Sequence, residues 1–182
     1  MNTFKRIEIN LLEKFGVSEK SFEKLDNFEK RKIVTKIFLI EELEEIKNNK
    51  RQLSELIKFH ARNKYLYFCY DINKKDELGR IIANSKSKNL EKVFEDYKKV
   101  LLEILDEPIT KGRAVNAYFH IFGYFRSDLS EDEKADYFRI INEFEKTNIS
   151  DFEIRNKLFE FSKKYKKEYI SNQFILKKFW WE

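Results

Sequence analysis

Apolar residues recur at intervals of three and four along most of the chain, which is the period of an α-helix. The clearest run stops before Pro108, whose ring disfavours helix at the residue ahead of it. Its apolar positions are Leu90, Val93, Phe94, Tyr97, Leu101, Ile104 and Leu105. No segment alternates apolar and polar residues convincingly as a strand does. The pattern predicts an all-α fold, a compact single-domain bundle of about seven or eight helices.

Polar residues at the predicted helix starts set the limits of the other helices. Thr110 is placed to cap a helix that runs to about Arg126. Capping boxes, in which an N-cap hydroxyl and a glutamate three residues on accept each other's backbone N–H groups, are predicted at Ser130 with Glu133 and at Ser150 with Glu153. Further helices are predicted over 19–48, with a break near Asp26, and over 52–70, 74–83 and 166–178.

The composition is that of a folded protein, because 42% of the residues are hydrophobic and 16% are aromatic. The single cysteine, Cys69, excludes an internal disulfide, a cysteine-ligated iron–sulfur cluster and a multi-cysteine zinc site. We therefore expect no cofactor. The first residues carry charges, and no run of about 18 uncharged apolar residues occurs. We expect a cytoplasmic, reducing location and no membrane insertion.

Positive charge is unevenly distributed around a net charge of +5. Residues 108–127 contain Lys111, Arg113 and Arg126 with no Asp or Glu. The last 28 residues contain eight basic side chains against three acidic ones. The run Lys163, Lys164, Lys166 and Lys167 lies there, and it is either a solvated face or a stripe that follows a phosphate backbone.

Two histidines lie on predicted helices, each with an amide and a cation at one-turn spacing. His60 shares its stripe with Asn63, Lys64 and Tyr67, and His120 shares its own with Arg113, Asn116, Gly123 and Tyr124. Each stripe could present a histidine, an amide and a cation together. The alternative is that each histidine is a hydrogen-bonded packing residue. A metal site is not predicted, because neither histidine has a partner at the usual ligand spacing.

Aromatic residues follow the basic helix start at Lys111 and Arg113. They are Tyr118, Phe119, Phe122, Tyr124 and Phe125. Exposed rings can stack on unpaired bases while cations neutralise phosphates. Most of these rings must nevertheless belong to the core, which leaves one or two to face a ligand. Cys69 lies between Phe68 and Tyr70, which favours a buried, inert thiol.

The same residues carry a resemblance to the YbgA-like domain family, a bacterial and archaeal family of unknown function. Residues 56–66 resemble its opening signature, and 78–84 resemble its second conserved stretch. The family's third conserved stretch is resembled by residues 110–125, which include Thr110, Asn116, His120, Gly123 and Phe125. Ala114 departs from the family pattern, which has a histidine there. The resemblance divides the chain into an N-terminal helical extension, 1–49, packed on a YbgA-like helical domain, 50–182.

The resemblance also implies a partner. Members of the family are often fused behind a cysteine-rich domain similar to thiouracil desulfurases, which use an iron–sulfur cluster. The helical part would then receive RNA, above all thiouridine-bearing tRNA, while a separate desulfurase-like protein performs the reaction. Cys69 alone cannot hold a cluster.

Three hypotheses of function remain open at this point. The first is an RNA-binding accessory module whose contacts are His60, Asn63, Lys64, Lys111, Arg113, Asn116, His120, Tyr124, Lys163, Lys164, Lys166 and Lys167. The second is a small cofactor-free enzyme acting on nucleotides or thiolated nucleobases, with His60 or His120 as general base. The third is an adaptor that docks a protein partner through Phe179, Trp180 and Trp181.

Overall fold

The computed structural model describes residues 9–50, 52–87, 89–147 and 150–177, and within them the fold is all-α, as predicted. The described helices are α1 (Ile9–Lys14), α2 (Glu19–Glu23), α3 (Asn27–Glu45), α4 (Leu53–Tyr70), α5 (Ile72–Ala83), α6 (Leu90–Asp106), α7 (Lys111–Phe122), α8 (Glu131–Lys146), α9 (Phe152–Lys164) and α10 (Glu168–Ser171). Short turns of π-helix at Ile46–Lys50 and of 3-10 helix at Ser85–Ser87 and Phe174–Leu176 complete it. Ten α-helices in these ranges exceed the predicted number because three of them have six residues or fewer.

Helix α4 is the centre of the molecule, and it packs against α5, α6, α7 and the 3-10 turn Phe174–Leu176. Half of its residues are buried, including Leu56 and Phe59. It ends at Asp71, whose carboxylate accepts hydrogen bonds from the backbone of Asn73 and Lys74 and so starts α5 without a loop. Helix α5 therefore folds back along α4.

The predicted core helix is confirmed as α6. Val93, Phe94, Tyr97, Leu101 and Ile104 are each at most 1% exposed. The helix ends at Asp106, two residues before Pro108, as the ring of that proline requires.

Helix α3 joins two hydrophobic clusters. Leu39, Ile40 and Leu43 belong to the main core, whereas Ile37 packs with Leu12 and Phe22 in a smaller cluster. Phe15, just after α1, packs against both clusters, so α3 and Phe15 connect the smaller cluster to the main core.

Two predicted helix limits are wrong. Helix α9 begins at Phe152 and not after Ser150, because the Asp151 carboxylate binds the Tyr118 hydroxyl and the Arg155 guanidinium instead of capping the helix. The Ser150 hydroxyl accepts only the backbone N–H of Phe152. Helix α7 ends at Phe122, short of Arg126, and turns follow it to residue 128.

The single helix predicted over 166–178 is also wrong. Lys166 has a left-handed backbone (φ 53°), and the Lys167 N–H donates to the Ser162 carbonyl at 2.9 Å, which is the Schellman motif that ends α9. The fully buried Gln173 side chain then donates to the Ala61 carbonyl at 3.0 Å. This contact with α4 fixes an extended residue between α10 and the following 3-10 turn.

Candidate nucleic-acid interface

Three helices form the face that carries His60, Lys64 and His120. His60, Lys64 and Phe68 lie on successive turns of α4, with α5 on one side and α7 on the other. The Lys75 ammonium of α5 lies 5.1 Å from the Phe68 ring centroid, and the His120 ring of α7 lies 4.8 Å from it. The Phe68 ring therefore contacts a cation from α5 and an imidazole from α7.

His60 is a largely buried residue of this face. Its Nδ1 lies 3.1 Å from the hydroxyl of Tyr97, a fully buried residue of α6. Burial, followed by the charges of Lys64 and Lys75, lowers the pKa of His60 to about 4. The imidazole is consequently neutral at pH 7. His120, in contrast, is exposed on the surface of α7.

The two histidines lie on one face but at separate places. His60 precedes Phe68 by eight residues of α4, about 12 Å along the helix axis, and His120 contacts Phe68 itself. Asn116 is exposed one turn before His120 on α7.

Asn63 corrects one sequence prediction, because its side chain is fully buried. Its Nδ2 donates to the Phe59 carbonyl at 2.9 Å. The residue turns into the core between its neighbours Arg62 and Lys64, so it does not contact a nucleic acid directly. Its role is to pack α4 against the interior.

The basic start of α7 is engaged with the protein backbone. The Thr110 hydroxyl caps the helix by accepting the Arg113 N–H at 3.3 Å, as predicted. The Arg113 guanidinium donates to the carbonyl of Tyr70 at the end of α4. The Lys111 ammonium donates to the carbonyl of Thr147. Both cations thus have structural roles at this end of the fold.

Three aromatic rings meet at the opposite end of α7. Tyr124 and Tyr169 are 41% and 39% exposed, and their ring centroids are 5.9 Å apart. The Lys64 ammonium lies 5.4 Å from the Tyr169 ring centroid and 4.9 Å from that of the buried Tyr65. We call Lys64, His120, Tyr124 and Tyr169 the tyrosine platform.

Each exposed tyrosine of the platform makes a hydrogen bond to another part of the fold. The Tyr65 hydroxyl donates to the Tyr124 hydroxyl at 3.3 Å, and the Tyr169 hydroxyl donates to the Ala61 carbonyl at 3.3 Å. Gln173 shares that carbonyl of α4. Because these contacts join α4 to the chain after α7 and to α10, the two rings have fixed positions.

The lysine run that begins in the last turn of α9 is partly engaged in ion pairs. Lys164 lies 2.7 Å from Glu133, and Lys167 lies 2.8 Å from Asp128. Lys163 lies over the Phe159 ring at 5.3 Å. Lys166 is exposed and precedes Tyr169 by three residues of the chain.

Sequence reasoning found Lys64, His120 and Tyr124 but missed Tyr169, Lys75 and the role of Phe68. Tyr169 lies 105 residues after Lys64, and no local pattern connects them. Among the aromatic residues of the α7 region, Tyr118, Phe122 and Phe125 are buried, whereas Phe119 and Tyr124 are exposed. This agrees with the expectation that one or two of them would face solvent.

The described part of the chain was also searched for a reactive cysteine, a metal site and a membrane-spanning helix. Cys69 is fully buried, and burial raises the pKa of its thiol to about 12, which agrees with an inert cysteine. No group of three or more His, Cys, Asp or Glu side chains that could hold a metal ion occurs within residues 9–50, 52–87, 89–147 and 150–177. In the same ranges, no helix has the length and hydrophobicity that crossing a bilayer requires. Phe179, Trp180 and Trp181 lie outside the described residues.

Comparison with known proteins confirms the resemblance. Residues 64–179 match a family described as "Protein of unknown function (DUF1722)", and because this match covers more than half of the chain, the protein belongs to that family. A relative is the "Uncharacterized protein YbgA" of Escherichia coli (strain K12), which is 23% identical over 110 residues. The aligned part covers 60% of this chain and 65% of the relative, so the chain spans less than two thirds of that protein's length. No solved structure matches the chain.

Proposed function

We propose that this protein is a nucleic-acid-binding module that holds unpaired bases of structured RNA on the tyrosine platform. The observation that carries the proposal is the pair of exposed rings, Tyr124 and Tyr169, 5.9 Å apart beside the Lys64 ammonium. Exposed aromatic rings next to a cation are the combination with which proteins bind single-stranded nucleic acids.

The stacking step follows from the ring geometry. The two ring planes are inclined by 40°, so each ring can stack on a different base of a splayed loop. Stacking on an aromatic side chain contributes about 1 to 3 kcal/mol per base. The ordered hydrogen bonds of Tyr65 and Tyr169 reduce the entropy that the rings would lose on binding.

Cations beside the platform would contact the phosphates. Lys64 lies beside the Tyr169 ring. Lys163 in the last turn of α9 and Lys166 just after that helix are exposed. Lys164 and Lys167 could exchange their exposed carboxylate partners for phosphates at little cost, because surface ion pairs contribute only about 0 to 1 kcal/mol. Lys111 and Arg113 are less suited to this role, since backbone carbonyls already engage them.

The wider proposal concerns the partner. We infer from the family resemblance that the bound RNA is tRNA, and that the module presents it to a separate desulfurase-like iron–sulfur protein. The chain's only cysteine is buried, so the redox chemistry would have to come from that partner. Tighter binding of thiouridine-bearing tRNA than of the same tRNA without sulfur would support this extension.

The test of the core proposal is fluorescence anisotropy with a labelled tRNA at several salt concentrations. Because each neutralised phosphate of a single strand contributes roughly 0.7 to the slope of log affinity against log salt, three lysine contacts predict a slope of about −2. Tyr124→Leu and Tyr169→Leu keep apolar volume but remove the ring. Each is expected to weaken binding about tenfold, which is about 1.4 kcal/mol.

The matched control is Phe138→Leu, which removes an exposed ring of α8 that packs on Phe119 and Phe122. This variant should bind as the wild type does. Undetectable binding at low salt, or equal losses in all three variants, would refute the role of the platform.

A further inference from the structure

A partly enclosed cavity of about 490 Å³ lies at the end of the fold opposite the tyrosine platform. It is bounded by α3, the α6–α7 connection and the starts of α7 and α9. Its lining includes the charged residues Arg31, Lys111, Asp151 and Arg155 and the apolar residues Ala114 and Phe144. Its volume lies within the range of about 300 to 1,000 Å³ that is usual for small-molecule sites. Ala114 precedes Tyr124 by ten residues, or about 15 Å along α7, so the cavity and the platform are separate.

One wall of the cavity is cationic. The Arg155 side chain, 12% exposed, donates to the Tyr118 hydroxyl at 2.9 Å and to the Asp151 carboxylate. The Tyr118 hydroxyl donates to the same carboxylate, so Asp151 is already engaged. Arg31 lies near both charged residues, and its pKa is lowered by burial first and then by the charge of Arg155. The wall therefore brings two guanidinium groups together around one carboxylate.

The described lining of the cavity contains more basic than acidic residues. Arg31, Lys32, Lys111 and Arg155 line it together with Glu29, Glu107 and Asp151. The Glu107 carboxylate lies 3.9 Å from the Lys74 ammonium of α5, which balances part of its charge from another side. These basic side chains would attract an anion in a region partly shielded from water.

The lining also has an apolar part. It consists of Pro108, Ile109 and Phe144, and the Lys111 ammonium lies 5.5 Å from the Phe144 ring centroid. Ala114 is 2% exposed and has only a methyl group at the cavity surface, so a larger side chain there would take up the space. Guanidinium groups and an aromatic ring in one lining fit a ligand with an anionic group attached to a ring.

We propose that this cavity binds a small aromatic anion, with its phosphate or carboxylate group at Arg31 and Arg155 and its ring against Phe144. The site does not depend on the proposed binding of RNA. The residues around Ala114 that would bind this ligand are not part of the tyrosine platform.

The test measures binding of phenyl phosphate and of benzoate by isothermal titration calorimetry and by thermal shift on the full chain. Inorganic phosphate and phenol serve as the two half-ligands. We expect at least one aromatic anion to bind at least tenfold more tightly than either half-ligand and to raise the melting temperature. Preference for phenyl phosphate assigns a phosphate ligand, and preference for benzoate assigns a carboxylate ligand.

Three variants complete the test. Ala114→Leu fills the cavity, and Arg31→Gln removes a charge from its wall without adding volume, so each should weaken binding at least tenfold. Arg126→Gln removes an exposed charge elsewhere and should leave binding unchanged. Circular dichroism checks that each variant folds. If Ala114→Leu does not fold, the affinity of Arg31→Gln alone decides whether the cavity binds the aromatic anion. Absence of binding by both aromatic anions, or wild-type affinity in Arg31→Gln, would overturn the proposal.

Discussion

Lys166 is the described non-glycine residue with a positive φ, and it occupies the position of the Schellman motif that glycine usually takes. A side chain in the left-handed region costs roughly 1 to 2 kcal/mol. Strained residues of this kind are often kept at functional positions. An exposed lysine three residues before Tyr169 is suited to a contact with phosphate.

Lys166→Gly should therefore separate stability from binding. We expect the free energy of unfolding to rise by about 1 kcal/mol, because glycine adopts this backbone without strain. RNA affinity should fall, and the salt slope should become shallower by roughly 0.7, because one phosphate contact is lost. Urea denaturation and anisotropy measure the two effects. Lys146→Asn removes an exposed lysine of α8 as a control, and an unchanged salt slope in Lys166→Gly would exclude Lys166 from the interface.

His60 predicts a pH dependence of stability. Its pKa is about 4 in the folded protein against 6.5 in the unfolded chain, so the unfolded state binds more protons between these values. The contribution of the neutral His60 to the free energy of unfolding is therefore fully present above pH 6.5. As the pH falls from 6.5 to 4, this contribution is lost, by up to about 3 kcal/mol. His60→Gln should remove this part of the slope in urea denaturation between pH 4 and 7.

The chain's other histidine provides the control for this measurement. His120→Gln removes an exposed imidazole and should keep the wild-type slope. If His60→Gln and the wild type lose stability equally between pH 6.5 and 4, His60 is not buried as a neutral side chain.

At the scale of single helices, the two predicted capping boxes give opposite results. At Ser130 both hydrogen bonds are present, at 3.3 Å from the Glu133 N–H to the serine hydroxyl and 3.0 Å from the Ser130 N–H to the glutamate. Both partners lie within one turn, so the sequence contains all the information needed. At Ser150 the neighbouring Asp151 binds Tyr118 and Arg155, and this tertiary contact shifts the start of α9. The three-residue spacing alone could not predict that contact.

The difference can be measured with two serine substitutions. Ser130→Ala should lower the free energy of unfolding by about 1 kcal/mol, because the first turn of α8 loses its cap. Ser150→Ala should have a smaller effect, since its hydroxyl accepts a single N–H ahead of a helix that starts at Phe152. Equal losses in urea denaturation would mean that Ser150 does act as the cap of α9.

At the scale of the whole molecule, the sequence pattern predicted the fold class and the limits of α4 and α6 closely. The apolar stripe of α6 is long and regular, whereas α4 is buried at every position from Tyr65 to Tyr70. The candidate site was predicted only in part. Lys64 and His120 could be found because helical spacing predicted stripes of polar residues on α4 and α7, and Tyr124 follows the end of α7 closely. Asn63 was misplaced because the apolar stripe of α4 is wide enough to bury it. Tyr169 and the cavity near Ala114 depend on how distant helices meet, which local spacing does not record.

Binding of RNA at the tyrosine platform can be located by amide NMR of the labelled 22.3 kDa protein during titration with a short single-stranded RNA. We expect chemical-shift changes concentrated at Lys64, His120, Tyr124, Lys166 and Tyr169. Changes confined to other surfaces, or no changes at low salt, would show that the platform does not bind RNA.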